Sequence, residues 1–379
     1  MTFRPEASGS ERPFATPIAY CIFAACGLGV VLPGTLLPQL LVRWALNDQQ
    51  AGILFFLFFI GSSGGAVLAR GPLSRLIALG CAAICAGNFA LGISAGVWSF
   101  VAITVLGLGL GLTMTSVSLL QSRRHAETRI AEMSRLNLIW AVGACLAPSI
   151  LLRGSTHWPL QTILNAIACC FAFFCILAVF FIPDAKMPVP LPGTPSSQTK
   201  HSAVPLLLLA IIPLATGVES SAGGWLAAYS ERSGLLLLGT VSTVSCFWLG
   251  LLLSRFVQSY RSVASASKNI VLRVGPWVAA VALLLIIFQH QGLTMAVGAF
   301  GLGLGIGPIY PLVLSLLLDK GEASNSAFLA GGVGASTLPL LTGVVSGYVG
   351  SLSAGLLIPM LGATAMGVLA LMAKRNPST

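Results

Sequence analysis

Charge is scarce in this sequence. Asp, Glu, Lys and Arg make up 8% of its 379 residues, against roughly 25% in a soluble domain. So few charges cannot coat a water-facing surface, and lipid must cover most of the chain. Strands of alternating apolar and polar residues, which a membrane β-barrel needs, are missing too. The apolar runs are continuous instead: 76–93 and 97–120 hold no charged residue. Each is long enough for a helix crossing a core of about 30 Å at about 1.5 Å per residue.

Other absences narrow the function. No Gly-x-x-x-x-Gly-Lys-Ser/Thr loop is present, which excludes a self-contained ATP-driven pump. No His-Glu-x-x-His occurs, and His125, His157, His201 and His290 are scattered through loops and helix ends. No metal site, no Ser–His–Asp set and so no enzyme activity is expected. The nine cysteines lie inside apolar runs without a Cys-x-x-Cys pair, and read as small apolar side chains. The net charge of +10 is not interleaved with aromatics as a nucleic-acid patch would be.

What is present is helical membrane hydropathy. Spanning helices are expected at about 18–42, 50–69, 76–93, 97–120, 136–153 and 160–182. A second set follows at about 204–229, 235–254, 271–289, 292–318, 323–350 and 352–373. Residues 1–17 read as a disordered polar tail and 374–379 as a second tail. The run 18–42 is too long for a signal core and reads as the first spanning helix. Pro183, Pro188, Pro190, Pro192 and Pro195 mark 183–203 as a linker between bundles 18–182 and 204–373. The expected fold is an all-α membrane protein with twelve transmembrane helices in two six-helix bundles.

With that layout, only Arg43, Arg153 and Arg232 of the 20 Lys and Arg residues fall on one side. The rule that basic loops stay inside makes the other side, with both termini and the linker, cytoplasmic, in a cell inner membrane. The halves also echo each other. Gly65-Ala-Val-Leu-Ala-Arg70 corresponds to Gly250-Leu-Leu-Leu-Ser-Arg255, and Gly107-Leu-Gly-Leu-Gly111 to Gly301-Leu-Gly-Leu-Gly305. Repeated halves are a feature of secondary transporters.

Six plus six helices, a central linker and basic loops after helices two and eight resemble the major facilitator superfamily. The stretch from Gly65 to Arg75 is similar to a degraded copy of its loop signature, with Ala69 at the acidic position and Pro72 for a glycine. Gly217-Val-Glu219-Ser-Ser-Ala-Gly-Gly224-Trp225-Leu-Ala-Ala-Tyr229 resembles the Gly-x-Glu…Gly-Trp…Tyr stretch of the fucose/galactose/glucose proton symporter branch. Gly307-Pro308-Ile-Tyr310-Pro311, Gly331-Gly-Val-Gly334 and Leu338-Pro339 resemble the same branch. A sugar substrate is what this resemblance implies.

Among ten acidic residues, Glu219 alone is expected well inside an apolar helix. An ionised carboxylate at that depth costs at least ~2.5 kcal/mol, so it must face a cavity or partner. No Lys or Arg is expected deep enough to pair with it. Its functional reading is solute acceptor, proton-coupling site or both; its structural reading is a lock between helices. Trp225 offers a face for a sugar's C–H surface, or an interfacial anchor; Tyr229 reads as a belt residue. Gln39 follows Pro33 and Pro38, which should bend helix one around a cavity. Asn137, Trp140 and Tyr310 complete the expected solute contacts, with Asn88, Thr113 and Ser116 as further polar positions. Each of these also has a packing reading. Arg70 and Arg255 hold matching places and read as a cytoplasmic gate, or as topology determinants alone.

The function expected from these features is proton-coupled uptake of a small neutral solute such as a monosaccharide. An ion gradient is the only helper needed, and solute and lipid the only partners of a monomer. One alternative is efflux: Gly143-Ala-Cys-Leu-Ala147-Pro148 partly matches the exporter motif of helix five, with Leu151 and Leu152 where a glycine pair would stand. The other is a membrane receptor or scaffold without a wet cavity.

Overall fold

The computed structural model describes residues 14–125, 128–183, 203–235, 237–238, 241–259, 261–288, 291–319 and 324–375. Most of the expected linker (184–202) and parts of both expected tails (1–13 and 376–379) lie outside the described residues.

The first half comprises α1 (Ala15–Thr35), α2 (Leu37–Trp44), α3 (Asp48–Leu68), α4 (Leu73–Ile93), α5 (Val97–Arg124), α6 (Arg129–His157) and α7 (Leu160–Phe181). The second comprises α8 (Ala203–Arg232), a hairpin of β1 (Leu237–Leu238) and β2 (Val241–Ser242), α9 (Thr243–Ser259), α10 (Arg261–Phe288), α11 (Gly292–Ile306), α12 (Ile309–Asp319), α13 (Ser324–Val349) and α14 (Leu352–Arg375). Among the described residues, eleven stretches are long and apolar enough to cross a membrane, and Thr243–Gln258 is a shorter apolar helix. Two crossings are broken: α1 passes into α2, and α11 into α12.

Proline chemistry makes both breaks. Pro38 has no N–H for the carbonyl of Gly34, so the ladder is interrupted where α1 yields to α2. Pro311 likewise leaves the carbonyl of Gly307 without a partner in the helix, beside the α11–α12 junction.

The repeated glycines do matching work in the two halves. A Cβ at Gly107 or Gly111 of α5 would collide with the backbone of Phe58 or Ser62 on α3. In α11, a Cβ at Gly303 would collide with the backbone of Phe247 on α9, and one at Gly305 with that of Gly275 on α10. Small residues let neighbouring helices approach to backbone contact where lipid supplies no hydrophobic drive. The halves meet along α3 with α13, α6 with α9 and α1 with α8.

Several boundaries differ from expectation. The eighth spanning helix, expected at 235–254, is α9 at Thr243–Ser259. The expected start at 235 falls before the hairpin: Leu237–Leu238 and Val241–Ser242 pair as strands ahead of α9. Ser242 then caps the helix: its Oγ accepts the Ser245 N–H at 3.0 Å. Helices α6 and α10 begin earlier than the expected 136 and 271, at Arg129 and Arg261.

Candidate functional site

Glu219 lies mid-way along α8, and Arg255 lies on α9. Arg255 Nη2 donates to both carboxylate oxygens of Glu219, at 3.0 and 3.1 Å. Their side chains are only 17% and 14% exposed. The expectation that no cation would reach Glu219 is therefore wrong. It rested on ending helix eight at 254; the helix runs on to Ser259 and carries Arg255 inward as part of its wall.

The broken helix supplies the second hold on this arginine. Its Nε donates to the Gly307 carbonyl at 3.3 Å, the oxygen left free by Pro311. Gln258 Nε2 reaches the neighbouring Pro308 carbonyl at 3.3 Å. Trp140 of α6 closes the cluster from the first half, with the Arg255 guanidinium 5.4 Å from its ring centroid. That is cation–π range. Trp248 of α9 meets Trp140 edge-on at 5.8 Å. Tyr310, two residues beyond Pro308 on α12, packs against Gly331 of α13.

One end of the interface between halves is shut. This far end, opposite the basic loops, is bridged by Asp48 of α3 and Arg232 of α8, with Arg232 Nη1 donating to Oδ2 at 2.8 Å. Ser346 of α13 also donates to that carboxylate. A capping box sets Asp48 in place: Asn47 accepts the Gln50 N–H at 2.9 Å, and Gln50 accepts the Asn47 N–H at 3.0 Å. Beneath the ion pair, Phe55 meets Trp225 edge-on at 5.5 Å. The Trp225 N–H donates to the Pro339 carbonyl at 3.0 Å. Gly34 of α1 touches the backbone of Gly223 on α8, where any side chain would collide.

The sequence matches the Major Facilitator Superfamily over residues 19–333. This chain belongs to the Major Facilitator Superfamily. Solved structures agree on the fold. A bacterial homolog of the human lysosomal transporter Spinster, inward-facing and unoccupied, aligns with TM-score 0.74 and 12% identity over 97% of this chain and 98% of its own. The nucleoside transporter NupG aligns with TM-score 0.74 and 11% identity over 96% and 99%. The human organic anion transporter TETRAN aligns with TM-score 0.63 and 12% identity over 96% and 100%. No curated protein sequence matches. The chain is a multi-pass membrane transporter rather than an enzyme.

The facilitator fold brings together some expected site residues and separates others. Glu219, Arg255, Trp140 and Tyr310 form one cluster. Trp225 is excluded from it: with no exposed surface, it is packed into the far-end closure, where it has no face to offer a solute. Tyr229 is no belt residue either. It is buried, and its hydroxyl donates to the Ile286 carbonyl at 3.0 Å. Gln39 stands apart, in a cleft at the far end with Arg43 and Glu231. Asn137 is exposed, one turn from Trp140. Arg70 is exposed and makes no ion pair among the described residues, whereas Arg255 is paired with Glu219. Asn88, Thr113 and Ser116 are fully buried inside the first half.

Two features escaped the sequence. The Asp48–Arg232 bridge joins residues 184 positions apart, and no local pattern connects them. Glu132 is expected at a loop or helix end but lies within α6, 1% exposed. Tyr20 of α1 donates to it, and Arg135 stands 3.5 Å away. The expected helix five begins at 136, which leaves Glu132 outside it.

Proposed function

We propose that this facilitator takes up a small neutral polar solute, such as a monosaccharide, together with protons, by alternating access. The observation that carries the reading is the Glu219–Arg255 pair. Its charges cancel, which suits a solute without net charge. Binding a proton at Glu219 would remove the negative partner and release the Arg255 donors. Solute hydroxyls would then take the positions that the carboxylate held. The Trp140 ring supplies an apolar wall from the opposite half, so both halves grip one solute.

The helix-seven stretch Gly217 to Tyr229, with its likeness to the sugar symporter branch, supports a monosaccharide. The basic loops support a cytoplasmic position for the end opposite the Asp48–Arg232 bridge, in a cell inner membrane. One copy holds the complete cluster, which supports a working monomer. An ion gradient is the only energy source this reading requires.

Uptake of labelled monosaccharides into proteoliposomes tests the proposal. An inward proton gradient should drive accumulation by the natural protein. Glu219→Gln leaves Arg255 without its carboxylate, so it should insert at reduced yield; the inserted fraction should exchange solute at equilibrium but no longer accumulate it. Accumulation unchanged in that variant would end the coupling role, and gradient-driven exit would turn the direction to export.

A further inference from the structure

A cavity lies well away from Glu219. It is an open cleft of about 330 Å³ at the far end, lined by Pro38, Gln39, Val42, Arg43, Leu160 and Glu231. Its walls come from both halves: α2 and the start of α7 on one side, the end of α8 on the other.

Three observations define what fits there. The first is height. Trp98, Trp158 and Tyr348 are 71%, 61% and 92% exposed, and all three stand at this end of the molecule. Exposed Trp and Tyr collect where lipid headgroups meet hydrocarbon. The second is charge. Arg43 offers a cation anchored by a bond to the Gly92 carbonyl, with further N–H groups to spare. Glu231 offers a carboxylate that makes no ion pair among the described residues. The third is the apolar wall of Pro38, Val42 and Leu160, with Val42 84% exposed.

We infer that this cleft holds the headgroup of a zwitterionic phospholipid with a primary ammonium, its phosphate on Arg43 and its ammonium on Glu231. Arg binds phosphate through paired N–H groups. A primary ammonium can donate hydrogen bonds to Glu231, whereas a trimethylated one cannot. The first acyl carbons then run along Pro38, Val42 and Leu160. Because the two charges sit on opposite halves, the lipid grips both only while the far end is shut. A ligand favours the state it binds better, so this lipid holds the transporter closed at that end.

The test uses delipidated full-length protein in detergent. Phosphatidylethanolamine, phosphatidylcholine or soluble phosphoethanolamine is added, and melting temperature and lipid retained in native mass spectrometry are read. Phosphatidylethanolamine should raise the melting temperature more than phosphatidylcholine and remain bound as a single molecule. Glu231→Gln should melt like the natural protein without lipid and lose the preference between the two. Equal shifts from both lipids in the natural protein would overturn the inference. So would a preference that survives Glu231→Gln, or soluble phosphoethanolamine matching the intact lipid, which would make the cleft a site for a free solute.

Discussion

Arg232 holds Asp48 with two N–H groups, and the two residues belong to opposite halves of the molecule. The pair therefore exists only when the far end is shut. Asp48→Asn should shift the protein towards opening there. Arg232 is 43% exposed, so water screens the pair and its loss costs about 1 kcal/mol, near a fivefold change in the ratio of states. Spin labels at Val97 and Tyr348, exposed residues of opposite halves at this end, should report a longer mean distance in the variant. An unchanged distance distribution would show that the bridge does not bias the states.

Trp225 is sealed between Phe55 and α13, and its role should be mechanical. Trp225→Phe keeps an aromatic plug but removes the donor to the Pro339 carbonyl, at a cost of about 1 kcal/mol. Melting temperature should fall while KM for transport stays at its natural value. Trp225→Ala should cost about 3 to 5 kcal/mol through the cavity it leaves. A raised KM in Trp225→Phe with unaltered stability would restore a solute contact.

The Glu219–Arg255 pair invites a double-mutant cycle. Removing one partner strands a charge in a mostly buried place, with a penalty of about 3 to 5 kcal/mol. Arg255→Gln should therefore express poorly and melt early. The double variant Glu219→Gln with Arg255→Gln should recover much of the loss, because no charge is left alone. Additive losses in melting measurements would mean that the two side chains do not depend on each other.

Gly34 gives a steric test. Its Cα faces the backbone of Gly223 so closely that no methyl group fits. Gly34→Ala should prop α1 away from α8 and weaken far-end closure, lengthening the same Val97–Tyr348 label distance. The equivalent change at Gly64, where a Cβ meets nothing within 4 Å, should leave it unaltered.

Hydropathy and loop charge carry the crossings and the two halves, because both follow from local composition. Glu219 was legible for the same reason: a carboxylate in an apolar run stands out by itself. Arg255 was not, since a leucine run before Gly239 imitates a helix start and pushes the apparent end of the helix to 254. Trp225 shows a different limit. Its helix face can be read from spacing, but Phe55, Pro339 and Gly343, which cover it, come from distant helices. Asp48 and Arg232 were visible as charges at helix ends, with nothing in the chain to say they meet.

Helix α9 has 17 residues, a length of about 25 Å, against a hydrocarbon layer of about 30 Å. It is not hidden from lipid: Leu249, Leu253 and Phe256 are all exposed. At its start, Ser242 donates to Ser245, and Ser245 hydrogen-bonds to Ser149. Acyl chains around this helix must shorten or splay, drawing headgroups and water down towards those hydroxyls. The host membrane's thickness thereby becomes a load on one wall of the transport path, light in thin bilayers and heavy in thick, sterol-stiffened ones.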